Sequence, residues 1–255
     1  MTKPEDDFLQ SITGNDNSHD LLKDLSEVGI DALLTTDGVL KDIPILGTAF
    51  SILKLGNDVS AHFFAKRILS FLKEVDGVAR ESREKFFEKK DNSKIAETLL
   101  MILDKQDDYR LSELLGKAFK LYVLEVISKK NFEYYVHIIR NLNLFLLEIF
   151  CDLYSEKLEH DIFYKKLREL DYSIASTLAQ LGLLQQNTGV EIKPSYVNRG
   201  STRERSQTDL IKDVMSQSTI NYTVNFIRSD WGWSFYDYLI LGKINTKEKK
   251  VESLF

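Results

Sequence analysis

Four histidines, His19, His62, His137 and His160, are the side chains from which a helical zinc site would first be drawn, and no two of them stand four residues apart. Glu156 and His160 do share that spacing. Two ligands on one helix, with no second helix of the same kind, read as a solvated face rather than a metal centre. Cys151 lies between Phe150 and Asp152 in an apolar stretch, where a lone helical thiol is expected to be buried and inert. As the chain's single cysteine it also leaves no intramolecular disulfide to form. The sequence holds no Gly-x-Gly-x-x-Gly, no Gly-Lys-Ser/Thr phosphate loop and no Gly-x-Ser-x-Gly elbow. Asp6-Asp7 and Asp107-Asp108 read as a solvated tail and as a cap or turn. No acid, base and oxyanion donor assemble, so no catalytic residue, metal ligand or cofactor is assigned.

Three other groups of residues could bind rather than react. Trp231, Trp233 and Tyr236 are candidate protein-interaction anchors, because aromatic side chains dominate interface energetics. Lys165, Lys166 and Arg168, together with Arg199, Arg203 and Arg205, are candidate nucleic-acid contacts through the phosphate backbone. Ile45, Leu46, Phe50 and Leu53 are candidate membrane contacts: residues 43–53 (IPILGTAFSIL) form the longest uncharged apolar run, with Lys66-Arg67 and Lys73 beyond it. Eleven residues cannot span a bilayer core that needs about 20, and Asn57 and Asp58 would be costly in hydrocarbon. An ordinary buried hairpin is the plainer reading of this segment.

The elements that must position these groups are mostly helices. The 255 residues are 43% hydrophobic and 29% charged with three prolines, the composition of a globular chain with one large core or two modest ones. Residues 1–20, closing on the polar run TGNDNSHD, are expected to be a mobile tail, and nothing at this end resembles a secretory signal. Residues 21–154 are expected to form a helical bundle. Its helices are read at 59–75, ended by Asp76-Gly77; at 80–90; after an Asn92-Ser93 cap; at 111–126; and, most apolar of all, as one helix over 132–154. Beyond 155 the pattern becomes mixed. Helices at 156–170 and 173–181 precede a strand at 190–196, placed at an edge by Pro194, and a second strand at 222–227. A polar excursion, 198–218, separates the strands, and WGWSFYDYLILG is read as a closing helix before a Lys-rich tail, 243–255.

In chain order, the segment Thr177-Leu178-Ala179-Gln180-Leu181-Gly182-Leu183-Leu184 followed by the strands and the aromatic helix resembles a winged helix, over about the last 90 residues. Residues 39–47 (VLKDIPILG) and 64–72 (FAKRILSFL) resemble a group of uncharacterised small bacterial helical proteins. The fold class expected is therefore mainly α, with an N-terminal helical bundle followed by a small α+β winged-helix-like domain over 155–242. Winged helices commonly bind DNA. Here the helix that would enter the groove, 173–184, has neither Lys nor Arg, and the 34 basic against 39 acidic residues leave a net charge of −5. The expected function is thus a non-catalytic bacterial protein-interaction module, cytoplasmic, in the setting of an accessory to a defence or stress-response system. Its partner is expected to be another protein or a second copy. A DNA-binding regulator and a membrane-acting effector are the competing readings.

Overall fold

The computed structural model describes residues 3–14, 43–46, 59–89, 92, 94–155, 160–193 and 219–243. It is mainly helical with a two-stranded antiparallel sheet. The chain divides into two compact units, residues 1–152 with 234–255, and residues 153–233.

The first unit opens with α1, Pro4–Thr13, inside the region expected to be a mobile tail. Pro4 sets the helical φ of the first turn at no cost in hydrogen bonds, and Glu5, Asp6 and Asp7 oppose the positive end of the helix dipole. Phe8 and Ile12, four residues apart, are fully buried, Phe8 against Phe71 at 5.7 Å between ring centroids. Ser11 Oγ accepts from the Ile45 amide at 3.1 Å, and its hydroxyl donates to Asp7 O. Apolar burial and a satisfied serine, absent from a tail, thus anchor this helix.

α2, Val59–Asp76, and α5, Tyr109–Val123, cross closely, since a Cβ at Gly116 would lie 2.7 Å from the Phe71 carbonyl oxygen. α3, Arg80–Glu88, adds Phe86, which meets Phe119 and Tyr122 edge-on. α4, Ile95–Lys105, has Lys94 at its N-cap and no side-chain capping bond. Asn92, expected to help cap it, is buried and donates instead to Phe86 O at 3.0 Å.

The long apolar helix expected over 132–154 is two: α6, Lys129–Asn141, and α7, Leu144–Tyr154. Each has its own N-terminal device. Ser128 Oγ accepts from the Asn131 amide, and Asn143 Oδ1 accepts from the Leu146 amide at 2.8 Å. Lys129, Lys130 and Asn131 form the first turn of α6, ahead of the start expected at 132. At the far end of the chain Phe235, fully buried, packs edge-on against Tyr135 and Phe150, and a π-helical turn, Tyr236–Ile240, buries Leu239.

In the second unit α8, His160–Glu169, and α9, Tyr172–Gln180, precede the sheet. Asp171 caps α9 by accepting from the Ser173 amide. Gly182, at φ +71°, ends it: the Gly182 amide bonds Ala179 O and the Leu183 amide bonds Leu178 O, which satisfies the last carbonyls. That reversal feeds β1, Leu184–Lys193, paired antiparallel with β2, Thr219–Arg228, in an unbroken register from Leu184 opposite Arg228 to Lys193 opposite Thr219. β1 begins six residues before the strand expected at 190, because pairing with β2 carries the polar run Gln185–Thr188 along; Pro194 and the residues after it lie outside the described residues. α10, Asp230–Phe235, follows directly.

Candidate interaction surface

The second unit is tied together at Tyr154. Its hydroxyl donates to Leu183 O at 2.5 Å and accepts from the Ser229 amide at 2.8 Å, while Ser229 Oγ donates to Gly182 O and accepts from the Gly232 amide. One tyrosine thereby links the end of α9, the end of β2 and the start of α10. Glycine is required at 232, where a Cβ would overlap the Tyr154 hydroxyl and the Leu183 carbonyl. Burial pushes the Tyr154 hydroxyl up to about 12, against the opposing pull of the Ser229 bonds and Arg228.

Arg228 completes the knot. Its guanidinium lies 4.3 Å from the Phe163 ring and 5.1 Å from that of Trp233, and Nε donates to Leu153 O at 2.8 Å. Loss of solvent lowers its pKa.

This arrangement sorts the three aromatic candidates. Trp233 is half-buried, edge-on to Tyr154. Tyr236 is buried at 7% exposure, so it belongs to the core of the first unit. Trp231, 37% exposed, is the one that faces solvent. Of the basic candidates, Lys165 and Arg168 are exposed on α8 and Lys166 is half-buried there. Arg199, Arg203 and Arg205 lie outside the described residues. Ile45 and Leu46 are buried at 3% and 0%, which removes them from any surface in this conformation; Phe50 and Leu53 lie outside the described residues.

A groove of about 440 Å³ opens where α8 and α9 face β2. It is lined by Tyr164, Leu167 and Arg168, one turn of α8, by Leu170, by Tyr172 and Ala175 of α9, and by Val224, Asn225 and Phe226 of β2. Tyr172 is 57% exposed and touches the buried Phe226 with ring centroids 5.7 Å apart. Arg168 is the only charged side chain in the lining, and its Nε donates to Tyr164 O of its own helix. Tyr164, Leu167 and Tyr172 are not among the candidates that the sequence suggests. The spacing of 164, 167 and 168 puts them on one helical face, whereas Tyr172 stands between the helices expected at 156–170 and 173–181 and is in fact the first residue of α9.

Cys151 is partly buried on α7. Burial, and secondarily Asp152 and Glu148, push its thiol up to about 11, the direction opposite to an activated nucleophile. Among the described residues no cluster of three or more His, Cys, Asp or Glu could hold a metal ion, and no helix is long and apolar enough to cross a membrane.

The chain matches no protein-family model, no curated protein and no solved structure.

Proposed function

We propose that this chain is a non-catalytic protein-interaction module, and that the groove lined by Tyr164, Leu167, Arg168, Tyr172, Val224 and Phe226 is its contact surface. The observation that carries the reading is Tyr172, a large aromatic side chain 57% exposed in the lining of a mostly apolar groove. Such a ring gains free energy when a partner covers it, at a small cost in side-chain entropy. A bacterial origin, a winged-helix-like arrangement of the second unit and a role as accessory to a defence or stress-response system belong to the same proposal, and rest on the resemblances in the sequence.

Recognition of DNA by the same unit is the competing reading, and the chemistry of α9 argues against it. Tyr172–Gln180 has no cation, whereas phosphate contacts from Lys and Arg supply most non-specific affinity. Fluorescence anisotropy of the full chain with a 30-base-pair duplex, titrated from about 50 to 200 mM salt, tests this. No salt-sensitive binding is expected; binding that weakens steeply with salt would overturn the proposal in favour of a regulator.

A further inference from the structure

A strand at the margin of a sheet turns alternate backbone N–H and C=O groups outward, and proteins ordinarily guard such margins with lysine, proline or a bulge. β2 has none of these. Its ten residues pair with β1 without interruption, no proline occurs in them, and the single charge is the last residue, Arg228. Arg228 does not guard the margin, because its side chain is held against Phe163, Trp233 and Leu153 O. Among the described residues β2 pairs with β1 alone.

The groove shows which margin is meant. Successive residues of a strand point to opposite faces, so a cavity bordered by Val224, Asn225 and Phe226 in succession meets β2 along its edge. Their partners on β1, Thr188, Asn187 and Gln186, are absent from the lining. The groove therefore runs along the edge facing away from β1, with α8 and α9 opposite. Its volume falls within the roughly 300–1,000 Å³ of ligand sites.

Resting on the protein-interaction reading above, we infer that the groove takes an extended peptide segment of a partner protein, added to β2 as a third strand, with apolar side chains at alternate positions and a carboxylate beside Arg168. An extended backbone is the one conformation that satisfies the outward N–H and C=O groups of β2. Alternate side chains of that strand enter the space between β2 and α8, lined by Tyr164, Leu167 and Tyr172. The lining carries one cation and no anion, so an acidic peptide is attracted and a basic one is rejected by like charge.

The test pans a displayed library of random ten-residue peptides against the immobilised full chain, with Tyr172→Asp as counter-target. Tyr172 and Arg168 are exposed, and unchanged thermal unfolding checks that their variants fold; Tyr172→Ser replaces Tyr172→Asp if it does not. Enriched peptides are expected to alternate apolar residues and to carry Asp or Glu. Synthetic copies are expected to lose about tenfold in affinity, or about 1.4 kcal/mol, to Arg168→Glu. N-methylation of alternate amides should abolish binding along one edge of the peptide and spare it along the other. Absence of enrichment over the counter-target, enrichment of basic or non-alternating peptides, or tolerance of N-methylation on both edges would overturn strand addition. So would a dimer of the unliganded chain, seen by light scattering, that Tyr172→Asp dissolves, since a second copy would then hold the edge. A partner cross-linked at residue 172 in the absence of any enriched peptide would reject this inference and leave the interaction reading standing.

Discussion

Tyr154 joins separate elements of the second unit, because its hydroxyl is both donor to Leu183 O and acceptor from the Ser229 amide. Tyr154→Phe leaves both backbone groups buried and unpaired, at an expected cost of about 2–4 kcal/mol in urea unfolding at neutral pH. The sign of its pH dependence follows from burial. A hydroxyl raised from its ordinary 10 to about 12 keeps its proton longer folded than unfolded, so its stabilisation is whole below pH 10 and is lost as pH rises to 12. The gap between the native chain and Tyr154→Phe should therefore narrow over that interval; a constant gap would contradict the buried-hydroxyl account. Cys151 gives a second residue-scale expectation. With its thiol near 11, alkylation at pH 8 should run at least about tenfold slower than for a free cysteine near 8.5. Labelling at the free-cysteine rate would show that the thiol is neither buried nor raised.

At the scale of elements, caps decide what periodicity leaves open. α2 and α5 were legible because Ile68, Leu72 and Val75, and Leu111, Leu115, Ala118 and Phe119, repeat at helical spacing and are all buried. The break between α6 and α7 was not, because Ile138, Ile139, Leu142 and Leu146 carry the apolar period through it. Only Asn143, whose side chain accepts from the Leu146 amide, marks the second start. Asn143→Ala should cost about 1 kcal/mol, read as a lowered denaturation midpoint; no change would mean the junction is set by packing alone. α1 is signalled by Phe8 and Ile12 with Pro4 ahead of them, but the polar run that follows favours the expectation of a tail. β1 could not be read from its own residues, since Gln185 to Thr188 alternate nothing and become a strand through β2. The same holds for the groove: the spacing of Tyr164, Leu167 and Arg168 is legible in the sequence, but that Val224 to Phe226 join them follows only from folding.

For the molecule as a whole, the division of labour follows the chain's crossings after Asp152 and after Trp233. The aromatic run 231–236, read as one patch, is shared out: Trp231 reaches solvent, Trp233 holds Arg228 and Tyr154, and Phe235 and Tyr236 pack in the core of the first unit. A chain of net charge −5 with a cation-free α9 is poorly suited to grip phosphate, while an exposed aromatic groove suits a protein partner. The most direct measurement places a photo-cross-linking amino acid at residue 172 of the full chain in the cells that make it, with the exposed residue 94 as the control position. The account predicts a discrete heavier species from 172 that is lost when Arg168→Glu is added and is absent from 94. No species from 172, or the same species from both positions, would contradict it.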